Sequence, residues 1–247
     1  MDYIITCISH NRHENIKPFI EKVGTNKIVF FVKDQTDKDL YLKNGAKEVI
    51  ISGSLIDSRN ASLDYCFANK KICIQLSDDL EKIMINDYSG KRTKKYTNVV
   101  RVLNKIIPDF INNKYYFSGF PPTNNPFFAL KEKEINKFIV GDFIIVKPNG
   151  LRFDNNLRLK EDYDYTLQHI KEFDGCIRYG SFLNSFKHYS NKGGAVDYRT
   201  NQLEQETIKY LKNKWGECIK LNSKRENEIL LNKNSFKILK SNQQSLF

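Results

Sequence analysis

Between Tyr3 and Ser77 the chain alternates between short apolar runs and helix-sized segments, and this alternation leaves few folds open. Residues 3–8, 28–32, 48–51 and 72–76 are strand-sized and mostly apolar, with Ile and Val prominent. Segments 15–23, 38–44 and 58–67 lie between them and read as helices. The first has Pro18 in its opening turn, the second stops at Gly45, and the third has Leu63 and Phe67 on one face. Strand and helix alternating at this spacing predict βαβ units and a largely parallel sheet. In the fourth run, Ile72, Cys73, Ile74 and Leu76 give way abruptly to Ser77, Asp78 and Asp79. Open α/β sheets bind ligands at such C-terminal strand tips. Two adjacent carboxylates there repel one another, and a divalent cation relieves the repulsion by taking hard oxygen ligands. The plainer alternative is that the aspartates cap the next helix or turn.

The turn after the first strand, Ser9-His10-Asn11-Arg12-His13, contains neither GxGxxG nor GxxxxGK. A dinucleotide-binding Rossmann domain and a P-loop enzyme are therefore disfavoured. A chain of 247 residues that is 40% hydrophobic can bury a sizeable core. Its apolar runs all fall short of the roughly 20 residues of a bilayer span. The N-terminus lacks the basic-then-apolar order of a signal peptide, so a cytoplasmic location is expected. Cys7, Cys66, Cys73, Cys176 and Cys218 show no paired spacing and read as reduced, buried small side chains. The net charge of +11 favours a polyanionic partner, nucleic acid first, although a lysine-rich surface without such a partner gives the same figure. The sharpest basic cluster is Lys91, Arg92, Lys94 and Lys95, followed by Tyr96. Cations beside an aromatic ring suit phosphate contact combined with base stacking.

Beyond Asp79 the pattern is less regular. A short strand is expected at 83–85, a helix over 98–107 closed by Pro108, and a strand at 115–117 leading into a rigid turn-rich loop at 119–126. An apolar run at 138–146 is broken by Gly141-Asp142. A helix opens near Leu159 with Glu161 and Asp162 in its first turn, where carboxylates suit the helix dipole. Its apolar stripe is Tyr163, Leu167 and Ile170. A strand region at 176–186, a flexible loop at 188–194, a helix at 207–215 ending at Gly216 and a last strand at 218–221 follow. The remainder reads as an irregular tail with apolar patches at 229–231 and 236–239.

Three features share one chain order: Ser58-Arg59-Asn60 before the central strand, Asp78-Asp79 at its end, and Phe153-Asp154 followed by Glu161-Asp162-Tyr163-Asp164. As a set they resemble a glycosyltransferase of the GT-A fold, in which an Arg-Asn pair precedes an Asp-x-Asp-type metal motif and a later Glu-Asp-x-Asp segment carries the acceptor-side carboxylate. The wording KEDYDYTLQ, with the small size and basic charge, is similar to the phage and viral branch grouped as TET-associated glycosyltransferases, proposed to add sugars to hydroxymethylated pyrimidines in DNA. The resemblance spans residues 3–194. It implies an α/β fold with a mixed, mostly parallel sheet and helices on both faces. It further implies one glycosyltransferase domain over 1–222, with a nucleotide-binding half at 1–80, an acceptor-binding half at 81–222, and a tail at 223–247. The location would be the host cytoplasm if the chain is phage- or virus-encoded.

The resemblance also implies a Mn²⁺ or Mg²⁺ ion and a nucleotide-sugar donor, a UDP-sugar foremost, with DNA as the acceptor and no obligate protein partner. Asp79, with Asp78 and His188, would hold the metal, although this motif is Ser-Asp-Asp-Leu and lacks the spacer of Asp-x-Asp. Arg59 suits a bidentate phosphate contact or a hold on the nucleotide loop. Asn60 would orient the metal carboxylates or bond the base. Asp162 is the expected general base, with Glu161 orienting or replacing it. His10, Asn11 and Arg12 would line the base and ribose pocket, with Asp78 also on the donor side. Lys91, Arg92, Lys94, Lys95 and Lys192 would meet the acceptor backbone. A glycan, lipid or protein acceptor, and a non-enzymatic nucleic-acid-binding protein, are the competing expectations.

Overall fold

The computed structural model describes residues 2–187 and 198–241, so His188 and Lys192 lie outside the described residues. The first half follows its pattern closely: β1 (Tyr3–Ile8), α1 (Ile16–Val23), β2 (Ile28–Val32), α2 (Gln35–Lys43), β3 (Glu48–Ile51), α3 (Leu55–Ala68) and β4 (Ile72–Ser77). Then come β5 (Leu80–Ile85), β6 (Tyr96–Thr97), α4 (Val99–Ile111), β7 (Phe117–Gly119), β8 (Lys133–Ile135), β9 (Phe143–Val146) and α5 (Glu161–Glu172). The chain continues through β10 (Ile177–Tyr179), β11 (Phe182–Phe186), α6 (Asn201–Trp215), β12 (Ile219–Leu221), β13 (Ile229–Leu231) and α7 (Phe236–Ser241).

Eight strands form the main sheet in the order β3-β2-β1-β4-β9-β7-β10-β8. β1 to β4 are mutually parallel, β7 and β10 run the same way, and only β9 and β8 are reversed. The mixed, mostly parallel α/β sheet is thus as expected. β2 is buried at every position and β4 at every position up to Leu76, which is what a sheet covered on both faces demands of its central strands. On one face Ile5, Cys7, Phe30, Ile74 and Ile145 meet α1, α4 and Tyr41 of α2. On the other, Cys73, Phe117, Ile144 and Val146 meet α3, α5 and α6. A second sheet, β11-β5-β6, is antiparallel and leaves the main one directly after Asp79. Among the described residues no helix is long and apolar enough to cross a membrane. All five cysteines are buried and free, as expected.

Several expectations are corrected. α3 starts at Leu55 because Ser54 and Asp57 form a capping box: Ser54 Oγ accepts from the Asp57 N–H at 3.3 Å, and Asp57 Oδ2 accepts from the Ser54 N–H at 3.0 Å. α4 does not end at Pro108 but runs on to Ile111. Pro108 faces solvent while Ile106, Ile107 and Phe110 are buried, and burying a phenylalanine offsets one missing helix hydrogen bond. The region 176–186 is two strands, one in each sheet, which part at Gly180-Ser181. The described part of the expected irregular tail forms regular elements: β13 pairs with β12, and Ile229 and Phe236 lie in the second core.

Candidate active site

β1 and β4 end side by side, Ile8 opposite Ser77, at the C-terminal edge of the parallel strands. The turns beyond them and the first turns of α3 and α5 enclose a cleft of about 600 Å³. Asp78, Asp79, Asp142, Glu161 and Asp162 line it, together with the cations Arg12, Lys33, Arg59, Arg158, Lys160 and Arg199. The sequence therefore brought its acidic segments to one place, as sheet-tip chemistry requires.

Two buried polar residues set the floor. Gln75 is fully buried in the middle of β4, and its amide donates to Arg59 O at 2.8 Å and Ser62 Oγ at 2.6 Å. This anchors α3 on the sheet and aims Arg59 across the cleft floor. Arg59, itself 8% exposed, donates from Nε to Glu161 Oε1 at 2.9 Å. Its Nη1 donates to Gly141 O at 3.0 Å and to Gln75 Oε1 at 3.3 Å, and its Nη2 lies 2.9 Å from Glu161 Oε1. The guanidinium is bonded to the protein on every nitrogen and clamps α3, α5 and the Gly141 turn together while lining the cleft. A Cβ at Gly141 would sit 2.5 Å from Nη2, which explains the glycine. Glu161 is correspondingly the buried counter-ion of Arg59. Asn60 does not line the cleft: its side chain accepts from the Phe153 N–H at 2.8 Å and donates to Phe153 O at 2.9 Å, pinning the approach to α5. The role expected of Asn60 toward metal or base is corrected accordingly.

The segment resembling Glu-Asp-x-Asp divides in two. Asp164 is fully buried and accepts from Trp215 Nε1 at 2.7 Å and Lys214 Nζ at 2.8 Å, locking α6 to α5. Asp154 accepts from Tyr210 at 2.8 Å and from Lys214 at 2.5 Å, so it too holds α6. Asp162 faces the cleft, with Oδ2 accepting from the Gly141 N–H at 3.1 Å. Burial, then the neighbouring Glu161 charge, pushes its carboxyl up to about 7. Lys160, in the left-handed region with φ 56°, makes the sharp entry that turns this helix end toward the cleft.

After β1, Arg12 Nη1 donates to Asp78 Oδ1 at 2.5 Å, and Ser9 donates to Asp78 Oδ2. Both Asp78 oxygens thus accept hydrogen bonds within the protein, so Asp78 ties the two strand tips together while lining the cleft. Burial pushes Asp78 up to about 6 against the opposing pull of Arg12. Ser77 Oγ donates to Asp79 Oδ1 at 2.7 Å. His10 lines the cleft with Nδ1 2.6 Å from Asp37 Oδ2. Asn11, at φ 56°, does not line it; its N–H donates to Asp37 Oδ1 at 3.0 Å, so it shapes the turn instead of the pocket.

One acidic residue was missed. Asp142 stands opposite the end of β4, its carbonyl accepting from the Ser77 N–H at 2.8 Å. Burial first, and the Asp79 charge second, push its carboxyl up to about 7. Its signal in the sequence was the Gly-Asp break in the apolar run 138–146, which only the antiparallel pairing of β9 with β4 turns into a place beside Asp79. Among the described residues no group of three His, Cys, Asp or Glu side chains is gathered to hold a metal ion. The donor chemistry nevertheless fits a hard cation: the charge of Asp79 bears on Asp142, and Mg²⁺ commonly takes one or two carboxylates plus phosphate oxygens and water.

No protein-family model and no curated protein matches this chain. The basic cluster expected to meet the acceptor backbone is set apart from the cleft. Lys91, Arg92, Lys94 and Lys95 are exposed and do not line the cleft. They sit beyond the far end of β5, six residues and about 20 Å along the strand from Asp79.

Proposed function

We propose that this chain is a nucleotide-sugar-dependent glycosyltransferase whose acceptor is a hydroxyl group on DNA, a hydroxymethylpyrimidine foremost. The observation that carries the reading is a set of three carboxylates lining one cleft: Asp79 and Asp142 at the strand tips, and Asp162 at the first turn of α5. A UDP-sugar would place its diphosphate toward Asp79 and the cations Lys33 and Arg158. Asp79 and Asp142 would hold Mn²⁺ or Mg²⁺, which would supply charge neutralisation at the leaving phosphate. Asp162 accepts the proton of the attacking hydroxyl, a task suited to a carboxylate that titrates near neutrality. Glu161, fixed by Arg59, keeps the first turn of α5 rigid and adds the charge that raises Asp162. The basic net charge supports a polyanionic acceptor over a neutral glycan.

The test is a thermal-shift series with nucleotide-sugars in the presence and absence of Mn²⁺. One donor is expected to raise the melting temperature only when the ion is present, and Asp79→Asn should abolish that rise. A chain that responds to no donor, yet binds DNA, would be a nucleic-acid-binding protein without transferase activity.

A further inference from the structure

Two adjacent phenylalanines are more exposed than any other phenylalanine among the described residues. Phe127 and Phe128 are each 63% exposed, their rings T-shaped to one another at 5.2 Å. They are not on a loose loop. Pro126 and Ala129, on either side, are buried, and Asn125 Oδ1 accepts from the Phe127 N–H at 3.1 Å. The Phe128 and Ala129 N–H groups donate to Asn125 O and Pro126 O at 3.1 and 3.0 Å, closing a single tight turn. The pedestal is tied to the second sheet: Asn86 Nδ2 donates to Ala129 O at 2.6 Å, and Ala129 packs against Met84 of β5 and Leu183 of β11. Leu130, 54% exposed, reaches the turn that opens the basic loop, since a Cβ on Gly90 would lie 3.5 Å from Leu130 Cδ2. That loop carries Lys91, Arg92, Lys94 and Lys95 against the single carboxylate Asp87, and Tyr96, 54% exposed, closes it.

Exposed rings on a rigid mount beside a run of cations that outnumbers its one carboxylate are poorly explained as core or as ordinary surface. We propose that Phe127 and Phe128 form a stacking platform for unpaired bases of a DNA strand whose phosphates lie on Lys91, Arg92, Lys94 and Lys95. This deepens the acceptor part of the reading above and rests on it. The charge of the neighbouring loop selects a polyanion, and two flat, solvated faces select bases, because every base has a face to stack and aromatic stacking tolerates sequence. β5 runs from this platform to Asp79, so a strand held here would extend about 20 Å toward the cleft mouth.

The test is fluorescence anisotropy of a labelled single-stranded oligonucleotide and of the same sequence as a duplex, titrated with the full chain over a range of salt, without donor. The single strand should bind more tightly than the duplex. Replacing Phe127 and Phe128 together by Ala should weaken single-strand binding at least tenfold while leaving the salt dependence in place. Replacing Lys91, Lys94 and Lys95 together by Ser should instead lower the salt slope by about 0.7 for each phosphate that is no longer neutralised. Oligonucleotide affinity unchanged in the double Phe variant overturns the platform, as does loss in that variant only of binding to anionic vesicles. The donor-dependent thermal shift is read on the same variants. If the wild type shows none while the oligonucleotide results hold, the transferase reading fails and the platform stands. If the shift is present and the Phe variant binds oligonucleotide normally, the platform fails alone.

Discussion

At the scale of single residues, the proposed function makes Asp162 the proton acceptor, and its environment gives two separable expectations. Asp162→Asn removes the proton acceptor without changing shape, so kcat should fall about 10²- to 10⁴-fold with donor binding retained; steady-state kinetics at saturating acceptor read this. In the folded protein its carboxyl is raised to about 7, so the folded state keeps a proton that the unfolded chain has released. The stability this gives is complete below about pH 4 and is lost as the pH climbs through the folded value near 7. Asn cannot ionise, so Asp162→Asn should melt later than wild type at about pH 8 and together with it at about pH 4. Arg59→Ala tests the clamp. It strands Glu161, 6% exposed, without its counter-ion, and should cost about 3–5 kcal/mol in denaturant unfolding. Lysine should not rescue it, because one ammonium cannot reach Glu161, Gly141 and Gln75 in the fork geometry of a guanidinium.

Among the elements, those with strong local signals folded as the sequence indicated. β2 and β4 are nearly pure apolar runs, and a sheet covered on both faces admits little else. Errors gathered where a distant partner outweighed a local rule. Pro108 is a helix breaker in isolation, but α4 continues past it because Phe110 finds a fully buried site. Residues 229–231 and 236–239 looked like apolar patches on a tail because a three-residue strand has no partner in the sequence beside it. The partner is β12, and Ile229 is fully buried. The Ile229 carbonyl also accepts from Tyr163, whose ring stacks on Phe138 at 4.0 Å at the rim of the cleft. Deleting residues 223–247 should therefore lower the melting temperature markedly and broaden the transition, and circular dichroism on heating would register it. A truncated chain melting like the full one would mean that β13 and α7 contribute nothing to the core.

Across the whole molecule, the two sheets divide the work. The main sheet gathers carboxylates from separate stretches of the chain at one edge, and the second sheet leads from Asp79 to an exposed basic and aromatic end. The net charge of +11 is carried largely outside the cleft, whose lining sets five carboxylates against six Lys and Arg side chains. Loss of the donor-dependent thermal shift on adding a chelator, and its return with Mn²⁺, is the outcome expected if Asp79 and Asp142 share a cation.

The sequence by itself determined the alternation of the first half, the burial of its strands, the polar stop at Asp78-Asp79 and the acidic first turn of α5, because each depends on side-chain pattern over a few neighbouring residues. Tertiary structure decided which charged groups are tied to distant partners. Arg59, Glu161, Asp78 and Asp164 are as polar in the sequence as Asp79, Asp142 and Asp162, yet they are used to hold helices and strand tips together. A charged group's role depends on what is brought within hydrogen-bond distance of it, and here those partners come from as far as 102 positions away along the chain.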